Sequence, residues 1–153
     1  MDQETLTLQE WHKKQAIQNF NGTWDLIDKT DRTREDDINM IHKSHASRFH
    51  WGEVGTAKNL ATGEWQVSRV YSLVKMGESA LYHAENCLDL TEKNSIGDFE
   101  LAFAYEAMAR AYMVLNNKEL MNKNQELARA AAEKIEKEDN KKYVLSEINS
   151  IIL

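Results

Sequence analysis

No proline interrupts the 153 residues, and over almost the whole length apolar side chains recur three and four positions apart. That combination constrains the fold more than any other feature. The spacing places apolar groups along one stripe of an α-helix, and a proline inside such a helix would remove a hydrogen bond and clash with the preceding turn. Only six glycines are present, so β-turns and flexible linkers have little raw material. Ala, Leu, Glu, Lys and Gln, all strong helix formers, are plentiful. The expected fold class is all-α.

Polar punctuation divides the chain into seven expected helices. The first runs from Thr5 to Lys29, with Ile17, Phe20, Trp24 and Ile27 on one stripe, and the cluster KTDRTRE breaks it. The second spans Asp36 to Val54 and ends near Gly52 and Gly55, which suit a helix stop. The third covers Thr56 to Met76, with Gly77 closing it, and the fourth Ser79 to Lys93. After the break NSIGD, Asp98 is a candidate N-cap for a fifth helix ending at Leu115. Asn116 and Asn117 form the next turn, because Asn tolerates the left-handed conformation. The sixth helix covers Lys118 to Glu136 and the seventh Asn140 to Ile152. Such short connections make consecutive helices antiparallel neighbours. A chain of this length suits one domain, residues 1–153, with a real core.

The sequence repeats internally. Under a shift of 41, EWQVSRVYSLVKMGESALYHAENCL lies over YEAMARAYMVLNNKELMNKNQELAR. Val67, Ser68 and Tyr71 fall on Met108, Ala109 and Tyr112, while Ala80, Ala84 and Cys87 fall on Met121, Gln125 and Ala128. This order of large, small, Tyr, turn, Ala, bulky and small residues resembles the tetratricopeptide repeat. The period is similar to the longer repeats of kinesin light chains rather than the common one of about 34 residues. Glu64 stands where an aromatic is usual and Gln125 where a bulky apolar residue is usual. The resemblance implies an α-α superhelix of about three antiparallel helix pairs. Residues 1–55 would form a degenerate first pair, 56–95 and 96–136 the two repeats, and 139–153 a C-terminal capping helix with Val144, Ile148, Ile151 and Ile152 on its stripe. It also implies a non-enzymatic adaptor or scaffold that binds a protein or peptide.

Composition narrows the alternatives. A formal net charge of −6 argues against a sequence-independent nucleic-acid binder, which needs a basic footprint. The single cysteine, Cys87, excludes an internal disulfide and a Cys-cluster zinc site. The stretch MDQETLTLQEWHKK lacks the basic start and apolar run of a secretory signal. No segment approaches the roughly 18 consecutive apolar residues of a membrane span. The expected setting is the cytoplasm, with no membrane partner and no cofactor.

Helical projection at about 100° per residue separates two faces on the third and fifth helices. Leu60, Gly63, Glu64, Val67, Val70, Tyr71 and Val74 share the core stripe of the third. Leu101, Tyr105, Met108, Ala111, Tyr112 and Leu115 share that of the fifth. Opposite these stripes lie Trp65 and Arg69 on the third helix, and Phe103, Glu106, Arg110 and Met113 on the fifth. The shift of 41 places Arg69 over Arg110. In a stacked array of helix pairs this second face lines the concave surface, where two arginines flanked by aromatics would receive an acidic peptide or small ligand. The same side chains would otherwise pack on the first helix or on a second copy of the chain, giving a homodimer.

The histidines offer a reading of another class. On the second helix His45 shares a stripe with Ile38, Ile41 and Phe49, with His42 at its flank. His50 lies about 140° further round, so three histidines of this one helix make a poor metal site. Glu64 is the acid on the core stripe of the next helix, and a charge-assisted hydrogen bond to His45 or His42 would remove much of the cost of burying both. If His42, His45 and Glu64 opened onto a pocket, they would form a metal-dependent or acid/base enzyme site. Cys87 and His83 read as packing residues of the fourth helix. The chain has no phosphate-binding glycine loop, nucleophile elbow, HExxH or EF-hand motif.

Overall fold

The computed structural model describes residues 5–153; residues 1–4, the opening of the expected first pair, lie outside the described residues. Among the described residues there are seven helices and no strand: α1 (Leu8–Ile27), α2 (Arg34–Val54), α3 (Ala57–Leu73), α4 (Gly77–Lys93), α5 (Asp98–Val114), α6 (Lys118–Glu133) and α7 (Glu138–Asn149). The first three start at threonine capping boxes. Thr7, Thr33 and Thr56 each accept from the backbone three residues on, and Glu10, Asp36 and Asn59 reach back to the cap.

The shift of 41 is visible in the backbone. Helices α3 and α5 have the same length and start 41 residues apart. Both end in a left-handed residue, Lys75 at φ 64° and Asn116 at φ 59°. The closing bonds match as well: the Met76 amide donates to the Tyr71 carbonyl at 2.9 Å, and Asn117 donates to Tyr112 at 2.9 Å. Gly77 was expected to close α3, but it opens α4. A Cβ there would lie 2.7 Å from the Leu115 side chain, so close approach is what calls for glycine.

Helices pair as α1/α2, α3/α4 and α5/α6, and α7 lies across both members of the last pair. The first members also stack, α3 on α5 and α5 on α7, giving an all-α superhelix with α5 at its centre. Five alanines of α5, at 102, 104, 107, 109 and 111, are buried, and their small size lets neighbouring helices approach from several sides. Within the second pair, Ser68 of α3 is buried and its hydroxyl donates to the Ala80 carbonyl of α4 at 2.8 Å. Among the described residues no helix is long and apolar enough to cross a membrane.

The first pair differs from the expectation. Its contact uses small residues, with Ala16 and Thr23 of α1 buried against Met40, Ser44 and Ser47 of α2. The Ser47 hydroxyl donates to the Ala16 carbonyl at 2.8 Å. Close packing through small side chains turns Ile17, Ile38 and Phe49 outward, and all three are exposed.

Val144 and Ile148 of α7, and Ile151 just beyond its end, are buried, whereas Ile152 is exposed. Gln125, the polar residue at a position where a bulky apolar one is usual, donates to the carbonyls of Ile148 (3.1 Å) and Ile151 (2.8 Å). It therefore gives the Ile151 carbonyl a donor and adds a second one to the Ile148 carbonyl, which the Ile151 amide also reaches at 3.2 Å.

Candidate functional site

Helices α1, α3, α5 and α7 contribute to one face, and its centre is Glu106. This carboxylate is 1% exposed. It accepts from the indole N–H of Trp65 at 3.0 Å, from Arg69 at 3.3 Å and from Arg110 at 2.7 Å. A second carboxylate, Glu147 of α7, accepts from Arg69 Nη2 at 2.6 Å. Arg110 donates to the Glu147 carbonyl at 3.1 Å and to the Ser150 hydroxyl at 3.0 Å, beside the C-terminal end of α7, where a cation is favoured. The two arginines do lie side by side on one face. However, their side chains are only 12% and 13% exposed, and the chain's own carboxylates match their charges.

Next to this network is an apolar pocket of about 160 Å³, open on one side. Trp65 and Phe103 form its walls with ring centroids 5.4 Å apart and planes at 73°. Trp24 of α1 lies 5.6 Å from Trp65, and Tyr143 of α7 lies 5.7 Å from Phe103, so both ends of the superhelix contribute rings. Ala61, Cys87 and Thr91, the most buried of the lining residues, make the floor. Glu100 stands at the edge with Lys58 bonded to it at 3.0 Å. Burial pushes the Cys87 thiol up to about 12, which leaves it protonated and unreactive. Burial, helped by nearby Glu147, also raises the Tyr143 phenol above its ordinary value.

Of the residues named from sequence, Trp65 and Phe103 line the pocket, and Arg69, Glu106 and Arg110 form the polar network behind it. Met113 is half-buried and packs with Ala109, Met121 and Ile151, away from the pocket walls. Trp24, Tyr143 and Glu147 went unrecognised. The last two had a signal, since one further shift of 41 places Tyr143 over Ala102 and Ala61, and Glu147 over Glu106 and Trp65.

The histidine expectation needs correction. Glu64 is buried, but its partners are His83 of α4, at 2.6 Å from Oε2, and Arg48 of α2, at 3.1 Å from Oε1. His45 instead meets the Tyr71 hydroxyl at 2.8 Å, and His42 is exposed. Gly63 explains the exchange. A Cβ there would lie 3.0 Å from Arg48 Cδ, so the missing side chain lets Arg48 cross α3 and reach Glu64. Burial opposes ionisation of Glu64, but His83 and Arg48 outweigh it and hold its carboxyl below the ordinary value. Burial lowers His45, and His83 adds to the effect. Elsewhere His12 and His50 face each other through Nδ1 atoms 2.8 Å apart beside Trp11. Among the described residues no three His, Cys, Asp or Glu side chains are grouped to hold a metal ion.

Comparisons with protein-family models, curated proteins and solved structures find no match for this chain.

Proposed function

We propose that this chain is a non-enzymatic binding module whose concave face receives a segment of another protein. The observation that carries the reading is the half-open apolar pocket between Trp65 and Phe103. Concave, largely apolar sites with a few placed polar groups are where proteins hold ligands. The anchor this face takes is apolar rather than acidic, because Glu106 and Glu147 already neutralise Arg69 and Arg110. A lone, deeply buried thiol suits a reducing compartment, and we place the module in the cytoplasm.

The test is selection of peptides from a random displayed library, followed by affinity measurement on two pocket variants. Ala61→Leu fills the floor, and Thr62→Phe crowds the partly exposed rim. Selected peptides should lose about tenfold or more in affinity on both variants, while thermal melts show the helices intact. They should bind a Tyr82→Ala control, altered on an exposed residue of α4, as tightly as the parent. Peptides that bind all three variants equally, or a library that yields none, would sink the reading.

A further inference from the structure

We propose that the first helix pair is a proton-operated flap: in acid, α1 and α2 swing together off α3 and α4 about the two-residue connector of Gly55 and Thr56, while α3 to α7 stay folded. The seam that would part is thinly apolar. Among the described residues, the three apolar clusters of the core are built from residues 61–151, and from the first pair only Trp24 packs against them. The other bonds across the seam are polar. Gln66 donates to the Phe20 carbonyl at 3.0 Å, Arg48 donates to Glu64 at 3.1 Å, and His45 meets the Tyr71 hydroxyl at 2.8 Å. A body that buries so little apolar surface against its neighbour depends on such contacts to stay docked.

Four basic side chains and one carboxylate meet at this seam. Arg48, His45 and the exposed His42 come from α2, His83 comes from α4, and Glu64 comes from α3. The phenols of Tyr71 and Tyr82 lie beside the histidine rings, and the protonated Cys87 thiol lies deeper, near Glu64. With the imidazoles neutral, Arg48 and Glu64 balance. Each proton added after that is surplus. Glu64 already accepts from Arg48 at 3.1 Å and from His83 at 2.6 Å, which leaves little of it for His45. Two imidazolium rings would then face each other with centroids 5.3 Å apart, and Arg48 would add to the charge on the α2 side. The seam is half-buried, so salt screens this repulsion less than it would on a free surface. Swinging open returns the rings to water. Burial, helped by His83, holds His45 below its ordinary value while the flap is docked, so the open form takes the proton first and gains as pH falls through the ordinary histidine range. His12 and His50, bonded to each other between α1 and α2, ride inside the flap and do not cross the seam. Trp24 leaves Trp65 with the flap, so the motion unmakes the pocket of the binding reading above; the device itself needs no ligand and is tested without one.

The experiment places nitroxide labels on two exposed sites, Asn39→Cys of α2 and Glu126→Cys of α6, and measures the distance between them by electron spin resonance. Cys87 is buried and takes no label. Samples span about pH 7.5 to about pH 5, on either side of the ordinary histidine value. Near neutral pH one narrow distance is expected. In acid a second, longer distance should appear, its share rising up to about tenfold per pH unit for each extra proton the open form takes up, while circular dichroism keeps the helical signal. His45→Gln combined with His83→Gln retains hydrogen-bonding groups and removes both charges, so the second distance should be absent. If that double variant is not helical near neutral pH, His45→Gln alone decides, and the rise should lose one proton's steepness. Glu64→Gln removes the one carboxylate and should move the opening to higher pH. The flap is overturned if the parent keeps its single distance in acid, if the histidine variants open as steeply as the parent, or if Glu64→Gln opens no earlier. Loss of the helical signal together with the change in distance would also overturn it, because the whole chain would then be unfolding.

Discussion

Replacing Glu106 by alanine removes the acceptor on which three donors of two helices converge, and the structure sets how large the loss should be. The Trp65 indole N–H, on a side chain 8% exposed, would be left without a partner. That costs about 1–3 kcal/mol. Breaking a buried charge pair costs about 3–5 kcal/mol when the remaining charge has nowhere to turn. Here both arginines keep other acceptors, Arg69 on Glu147 and Arg110 on the end of α7. The electrostatic part therefore belongs below that range. Together these losses give about 4 kcal/mol, a large share of the roughly 5–15 kcal/mol that holds a domain folded. For a chain of this size that corresponds to a fall in Tm of about 8–16 °C. Urea denaturation followed by far-UV circular dichroism measures it directly, and Glu106→Gln, which keeps one acceptor oxygen, should lose about half as much. A loss below about 1 kcal/mol for Glu106→Ala would refute the idea that the network holds α3, α5 and α7 together.

Three further outcomes follow from other parts of the molecule. Gln125→Leu should destabilise by about 1–3 kcal/mol despite the added apolar surface, because the Ile151 carbonyl loses its donor and the Ile148 carbonyl is left with the Ile151 amide alone; hydrogen exchange should accelerate in α7 before the rest of the chain. Stability should fall as pH drops below the ordinary histidine value of 6.5, because His45 and His50 are both lowered in the fold and the unfolded chain binds their protons first. His45→Gln combined with His50→Gln should flatten that part of the pH profile, and an unchanged slope would contradict the assignment. Cys87, 3% exposed and with its thiol at about 12, should resist a thiol reagent in the native protein and react fully once urea unfolds the chain.

What could be read from the sequence was whatever depends on residues within a few positions of one another. The seven helices, the left-handed Asn116 and the shift of 41 between α3 and α5 all follow from spacing and turn chemistry. The same periodicity put Arg69 and Arg110 on one face. It also placed Trp65 and Phe103 where the pocket is lined, because a helix's faces are set by its own residues. It misjudged the α1/α2 contact, where Ser44 and Ser47 went in and Phe49 stayed out. Periodicity weighs apolar size, but a close helix pair selects for smallness.

Tertiary structure decided the partners. Arg69 meets Glu147 across 78 positions of sequence, and Trp24 reaches Trp65 from another helix pair. Glu64 chose His83 and Arg48 over His42 and His45. Each outcome depends on how far the superhelix curves and on single gaps such as Gly63, which admits a crossing side chain. A one-dimensional pattern carries the direction in which a residue points on its own helix. It carries no record of which other helix arrives at that point, because small packing angles between several pairs add up to set it.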